Sequence, residues 1–157
     1  MLLSMKRCLT LVSLLFLFFL AACQAEGIGQ DTASVREYQL LMQVRGHEIT
    51  SICMMDIQAD SSVLGTVVNE FGVKAFDFTY ANGKAKVLNV VGPLNKWYIK
   101  RVLKGDFSFI LANIGLGKDV VKKKRRLSFL PNGDVSVSNE RFKIQYTFTP
   151  IKVKGEE

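Results

Sequence analysis

Residues 35–44 read VREYQLLMQV, and this stretch decides the fold class of the chain. Tyr38, Leu40 and Met42 recur at every second position, and Gln39 stands between the first two. Because side chains alternate between the two faces of a β-strand, this spacing predicts a strand with one buried face and one exposed face. The stretch therefore favours a mainly β protein with a core on one side of a sheet.

The same period of two continues along the chain. It predicts further strands near residues 49–57, 63–68, 76–80, 84–91, 127–130, 135–137 and 142–148. Asn82 and Gly83 form a dipeptide that is favoured in two-residue hairpin turns, so the strands on either side of it are expected to pair. We therefore expect about eight antiparallel strands.

One region between the fifth and sixth predicted strands has helical spacing instead. Apolar residues such as Ile99, Val102 and Leu103 fall on one face, with cations on the other. Asn95 stands where a cap is expected, and Gly105 stands where a helix would end, so that Asp106 would start a second helical segment. The sequence thus predicts an amphipathic helix broken at Gly105.

These elements predict a curved antiparallel sheet or an incomplete β-barrel, covered by the inserted helix as a movable lid. Side chains expected to face inward and to bind lipid are Leu40, Met42, Met55, Phe76, Phe78, Trp97, Phe107 and Ile110. Cys53, Phe142 and Tyr146 are also expected to face inward. A lining of aromatic rings and pliable methionines could accept acyl chains by repacking. The alternative is a solid core without a cavity.

Composition agrees with one packed domain. The chain has 157 residues, 48% of them hydrophobic, and a net charge of +7. These values suit a globular core and exclude a disordered chain. Cys53 is expected to have no disulfide partner, because Cys8 and Cys23 fall in the N-terminal segment described below.

The residues of known catalytic motifs are missing. His47 is the single histidine and follows a turn glycine, and neither a serine elbow nor a phosphate-binding glycine loop is recognisable. We therefore expect no enzyme activity, no catalytic residues, no metal and no cofactor.

Cations dominate residues 118–126, and two interpretations of this basic run remain open. It could be a solvated loop or strand entrance, or it could attract anionic lipid headgroups or an acidic partner. Nucleic acid is not an expected partner, because the leader described next predicts export from the cytoplasm.

The N-terminus resembles the signal peptide of bacterial lipoproteins. Lys6 and Arg7 precede an apolar segment that ends at Leu20-Ala21-Ala22-Cys23, which is similar to the lipobox of that class. As a helix, the segment from Leu9 to Ala22 would span about 21 Å, less than the roughly 30 Å of a hydrocarbon core. This length favours an export signal over a membrane span. The alternative is an ordinary signal with an accidental cysteine.

The resemblance to lipoproteins divides the chain into three parts. Residues 1–22 are expected to be the signal peptide, 23–34 a flexible tether and 35–153 a single domain. In lipoproteins the cysteine at this position carries acyl chains, which implies that Cys23 is the lipidation site. Two or three chains would hold the domain at a membrane.

Several features of the domain resemble LolB, the outer-membrane receptor for lipoproteins. The lipobox and tether, the strands around Val67–Val73, the hairpin at Asn82 and Gly83 and the inserted helix occur in a similar order. Asn69-Glu70-Phe71-Gly72 resembles the Asn-Pro-Leu-Gly loop of that family, with Glu70 in place of proline and Phe71 in place of leucine.

The resemblance to LolB implies a function, a location and partners. It implies a monomer in the outer membrane, facing the periplasm, that accepts the acyl chains of lipoproteins from a LolA-like carrier and inserts them in the bilayer. Phe71 would be the membrane-insertion residue, unless its ring folds back over the sheet. The rival hypotheses are an envelope lipoprotein that binds another lipid or a hydrophobic small molecule, and a structural envelope protein with no cavity.

Overall fold

The computed structural model describes residues 34–151. The predicted signal peptide, Cys23 and nearly all of the tether lie outside this range. The strands are β1 (Ser34–Val44), β2 (His47–Ile57), β3 (Val63–Asn69), β4 (Lys74–Ala81), β5 (Lys84–Leu88), β6 (Val120–Lys122), β7 (Arg125–Phe129), β8 (Val135–Asn139) and β9 (Ile144–Pro150). Helix α1 (Trp97–Asn113) lies between β5 and β6, with a short 3-10 turn at each end, Gly92–Leu94 and Ile114–Leu116.

All nine strands form one unclosed sheet in the order β5-β4-β3-β2-β1-β9-β8-β7-β6. Every neighbouring pair is antiparallel. The prediction of a mainly β fold with an open antiparallel sheet and an inserted helix is therefore confirmed. The short edge strand β6 was not predicted, because its residues fall within the basic run.

Alternation of strand direction places four turns at one end of the sheet, which we call the upper end. These are the turns after β1, β3, β6 and β8, at residues 45–46, 70–73, 123–124 and 140–143. Helix α1 begins near this end and runs toward the opposite, lower end, where Ser34 opens β1. Asn82 and Gly83 form the predicted hairpin turn at the lower end, with φ of 51° and 74°.

Helix α1 is continuous, so the predicted break at Gly105 is wrong. The helix runs from Trp97 to Asn113 with Lys96 as its N-cap, and Asn95 does not cap it. Glycine in a helix interior costs roughly 1 kcal/mol relative to alanine. Here it leaves room, because a Cβ at Gly105 would lie 2.8 Å from a guanidinium nitrogen of Arg125.

The sheet has one apolar face, which packs against α1. The largest fully buried side chains on this face and on the helix include Tyr146, Phe76, Phe78, Phe107, Phe148, Leu40, Met55 and Ile110. Residues between them, such as Gln39 on β1 and Gln145 on β9, point to the other face and are exposed. The alternation that begins in VREYQLLMQV thus fixes which face carries the core.

Two contacts show that the sheet curves around the helix. Ser108 Oγ accepts a hydrogen bond from the backbone N–H of Ala85 on β5, at 2.8 Å. Two residues earlier on the helix, Asp106 pairs with Arg125 on β7, at 2.7 Å. In a flat sheet, strands that far apart in the strand order would be separated by roughly 34 Å, at about 4.8 Å per strand. Both can reach neighbouring helical residues only because the sheet bends.

Candidate functional site

An open apolar groove lies at the upper end of the sheet, between α1 and the ends of β1, β2 and β9. Its volume is about 470 Å³. Its walls consist of Met42, Val44, Arg45, His47, Ile49, Leu94, Tyr98, Ile99, Val102, Leu103, Phe142, Ile144 and Tyr146. Arg45 and His47 are the basic residues of this set. The groove is open and lined mainly by apolar side chains, and we treat it as the candidate site.

The geometry of the helix creates the groove. The central part of α1 is pressed onto the sheet through Phe107 and Ile110, which are fully buried. Its first two turns are less buried and carry Tyr98 and Val102 above the ends of the strands. Leu103 and Ile99 of these turns pack toward the core, while Tyr98 and Val102 border the open space beside them.

Six of the predicted lipid-binding residues lie in a packed core instead of a cavity. Leu40, Met55, Phe76, Phe78, Phe107 and Ile110 are each no more than 2% exposed. The ring centroid of Phe107 lies 5.3 Å from that of Phe76 and 4.9 Å from that of Phe78. These distances are those of directly packed aromatic pairs. Lipid could reach these side chains only if the helix moved off the sheet.

Met42 is the remaining predicted lipid-binding residue that faces inward, and it lines the groove. The expectation that Trp97 faces inward is wrong, because its side chain is 73% exposed. Trp97 is the first residue of α1, and at this position it stacks edge to face on Tyr98 at 6.0 Å. Phe142 also departs from its prediction: it is 38% exposed at the rim of the groove.

Phe71 stands outward from the turn between β3 and β4, and its side chain is 82% exposed. The alternative that it folds back over the sheet is wrong. Asn69 Oδ1 accepts hydrogen bonds from the backbone N–H groups of Phe71, at 3.0 Å, and Val73, at 2.8 Å. Gly72 takes a φ of +76°, which glycine adopts without strain. The turn is thus fixed internally and presents an apolar ring to the solvent.

A buried polar cluster beside the groove was not predicted from the sequence. Asp106 Oδ1 accepts hydrogen bonds from Arg125 Nε at 2.7 Å and Asn139 Nδ2 at 2.6 Å, and its Oδ2 accepts one from the Tyr146 hydroxyl at 2.8 Å. Burial and the charge of Asp106 raise the pKa of the Tyr146 hydroxyl well above its usual value. The available signal was the position of Asp106 directly beside Phe107 on the inward face of the helix.

The basic run forms a hairpin at the upper end. Lys122 ends β6, and Lys123 and Lys124 form its turn, with φ of 48° and 61°. These lysines are exposed, which agrees with a solvated strand entrance. Arg125 departs from that interpretation, because its guanidinium group is paired with Asp106.

Other kinds of site find little support in the described residues. Residues 34–151 contain no group of three or more histidine, cysteine or carboxylate side chains arranged to hold a metal ion. Over the same range, α1 falls short of the length and apolar character that a membrane-crossing helix needs. Neither a scan of protein-family models nor a search of curated proteins finds a match for this chain. The fold and the groove together define a class: an open antiparallel sheet that is wrapped around one helix and carries an apolar groove at one end.

Proposed function

We propose that this chain is an outer-membrane lipoprotein receptor of the LolB type, held at the membrane by acyl chains on Cys23. It takes acylated lipoproteins from a periplasmic carrier and inserts them in the bilayer. The observation that carries the proposal is the apolar groove, whose volume of about 470 Å³ lies in the range typical of small-ligand sites. An apolar chain placed there would replace water on side chains that are now partly exposed.

The composition of the groove suits an acyl chain better than a polar ligand. Met42, Ile99 and Val102 offer only apolar surface to an occupant, and Met42 can adapt its shape. Arg45 and His47 lie at the end of β1 and the start of β2, and so at the upper end of the groove. An acyl chain would lie along the apolar part with its polar end near these side chains.

Transfer by such a receptor requires no covalent step. The groove must bind the acyl chains more tightly than the carrier does and less tightly than the bilayer, so that each transfer runs downhill in free energy. Transfer along this order of affinities needs no nucleotide hydrolysis. It requires only that the groove be open enough for the chain to leave, and the exposed Tyr98 and Phe142 at its rim meet that requirement.

Phe71 is the residue that we propose contacts the bilayer during release. An apolar ring this exposed gains free energy by entering a lipid layer, at roughly 25 cal/mol per Å² removed from water. The Asn69 hydrogen bonds hold it outward, so no folding cost accompanies the contact. Phe71 and the groove share the upper end of the sheet, so cargo and insertion residue lie on the same side of the molecule.

A groove-blocking variant tests the proposal directly. Val102→Trp fills the groove from the helix, and Arg101→Trp places the same ring on the exposed neighbouring position as the matched control. In titrations of the chain from residue 24 onward with a fluorescent fatty acid, the wild type and Arg101→Trp should saturate at one site. Val102→Trp should lose at least about tenfold in affinity, which corresponds to 1.4 kcal/mol. Equal affinity for both variants would contradict the groove as the binding site.

A second experiment separates the receptor from an envelope protein that binds some other lipid. Depletion in the native cell should leave other lipoproteins bound to their periplasmic carrier, and wild-type protein should restore their transfer. Phe71→Glu should not restore it, while Leu116→Glu, at an exposed apolar residue of the lower end, should. Normal lipoprotein distribution after depletion would end the receptor proposal and leave the two rivals, an envelope lipoprotein that binds another apolar ligand and a structural envelope protein.

A further inference from the structure

The upper end carries a continuous surface of cations and aromatic rings that the groove does not explain. Its first part is the hairpin turn with Lys122, Lys123 and Lys124, all exposed. The carbonyl oxygen of Lys124 accepts a hydrogen bond from the backbone N–H of Glu140, at 3.0 Å. This bond joins the hairpin to the neighbouring turn, at residues 140–143, so their side chains form one surface.

The turn at residues 140–143 continues the surface toward the groove. Arg141 and Lys143 are exposed, and they line a shallow depression together with Arg45 and Phe142. The guanidinium carbon of Arg141 lies 5.3 Å from the centre of the Phe142 ring, in a cation–π contact. Glu140 is the single acidic residue in this turn.

The aromatic part of the surface lies across the groove. Phe142 and Tyr98 both border the groove, and Tyr98 stacks on the exposed Trp97. The rings therefore surround the opening, and the cations lie beside them. We call the set Arg45, Trp97, Tyr98, Lys122–Lys124 and Arg141–Lys143 the basic–aromatic face.

We infer that the basic–aromatic face docks on an anionic lipid bilayer and thereby turns the mouth of the groove toward the membrane. Lysine and arginine are attracted by the negative surface potential of anionic lipids. Tryptophan and tyrosine prefer the boundary between headgroups and acyl chains, because their rings are apolar with a polar atom at the edge. An acidic protein would complement the cations as well, but would leave the exposed rings around an apolar opening unexplained.

This inference depends on the proposed function in one respect: it assumes that acyl chains on Cys23 anchor the chain at the membrane. Ser34 lies at the lower end, and the eleven residues of β1 cover about 37 Å from there to the upper end. The tether from Cys23 to Ser34 reaches at most about 40 Å when fully extended. The tether is therefore long enough to run back along β1, from Ser34 at the lower end to the bilayer, while the basic–aromatic face at the upper end contacts that bilayer.

The experiment uses Trp97, the single tryptophan of the chain, as the probe. The full acylated chain is reconstituted in phosphatidylcholine vesicles with or without about 30% phosphatidylglycerol, a content that gives an anionic surface. Lipids brominated in their acyl chains quench tryptophan that enters the bilayer. We expect quenching at least about threefold stronger in the anionic vesicles, and we expect the difference to shrink in 1 M salt, where the screening length is about 3 Å.

Three variants test the contribution of the cations. Lys122→Gln/Lys123→Asn/Lys124→Asn removes the charge of the hairpin, and asparagine tolerates the positive φ of the two turn positions. Arg141→Gln/Lys143→Asn removes the positive charge of the neighbouring turn, at residues 140–143. Both should lower the quenching to its value in neutral vesicles. The control Lys84→Gln/Lys86→Gln/Lys118→Gln neutralises exposed lysines outside the face and should quench like wild type.

Several outcomes would overturn the inference. Equal quenching in neutral and anionic vesicles would do so, as would equal losses in the control and the hairpin variant. Loss of the extra quenching in anionic vesicles on adding a soluble polyanion at stoichiometric concentration would assign the face to an acidic macromolecule instead. Fatty-acid binding measured without vesicles reports separately on the groove, so a failure here is distinct from a failure of the proposed function.

Discussion

At the residue level, the most consequential side chain is Asp106, a carboxylate that is 1% exposed. A buried charge is costly unless partners satisfy it. Asp106 is satisfied by Arg125, Asn139 and Tyr146, which come from β7, β8 and β9. One side chain of the helix thus fixes its position against three strands. Helical spacing in the sequence could not reveal these hydrogen bonds, because the partners of Asp106 are distant along the chain.

Replacing Asp106 with alanine should destabilise the fold by about 3 to 5 kcal/mol, because Arg125 would be left partly buried without its partner. Urea unfolding would measure the loss. The matched control is Lys74→Ala, which removes the exposed ion pair with Asp77 and should cost less than about 1 kcal/mol. Similar losses for the two variants would show that the cluster does not stabilise the helix.

Cys53 gives a prediction for alkaline conditions. Burial raises the pKa of its thiol from 9.0 to about 12. Between these values the unfolded chain loses a proton that the native protein keeps, so stability falls as pH rises. The slope from this group is about 1.4 kcal/mol per pH unit. Urea unfolding at pH 8 and pH 10.5 should show the loss, and Cys53→Ala should reduce it.

Thiol labelling provides a control for the same residue. Cys53 is buried in the native protein, so a thiol reagent at pH 8 should react with it only when the chain unfolds. Fast labelling in the absence of denaturant would contradict both the burial and the raised pKa.

At the level of elements, α1 shows why local signals mislead. Gly105 has the appearance of a helix stop, yet the helix continues through it. The glycine leaves room for the guanidinium group of Arg125, which lies beside it while its Nε donates to Asp106. Contacts of Asp106 and Phe107 hold the centre of this helix against the sheet.

Gly105→Ala should therefore fail to stabilise the protein. In an open helix this change gains up to about 1 kcal/mol, but here the added Cβ would push against Arg125. Gly115→Ala, in the 3-10 turn that follows the helix, is the control, because no atom lies within 4 Å of a Cβ built there. Thermal unfolding should show a gain for Gly115→Ala and none, or a loss, for Gly105→Ala. A gain for both would mean that Arg125 moves aside at no cost.

At the level of the whole molecule, the groove couples binding to stability. A ligand that binds only the folded state at 100 times its Kd adds about 2.7 kcal/mol of stability. For a domain of this size that corresponds to a rise in Tm of roughly 10 °C. We expect palmitate to raise the Tm of the wild type and not that of Val102→Trp. An equal rise in both would place the ligand outside the groove.

The prediction of the fold succeeded where the signal was local. Alternation in residues 35–44 placed Tyr38, Leu40 and Met42 on the buried face, and the pair Asn82 and Gly83 marked a hairpin. The candidate site was harder to predict from the sequence than the fold. The inward face was assigned correctly for Phe76 and Phe107, but a strand pattern cannot distinguish a side chain that fills the core from one that borders a groove. That distinction depends on where the helix lies.

The sequence by itself determined the period of eight of the nine strands, the face that is buried, the hairpin at residues 82–83 and the presence of one amphipathic helix. These features follow from neighbours along the chain. The tertiary structure alone decided that the helix is unbroken, that six expected cavity residues form a packed core and that an apolar groove opens beside Tyr98 and Phe142. The physical reason is that Asp106 finds its partners on three distant strands, and those contacts fix the height of the helix above the sheet.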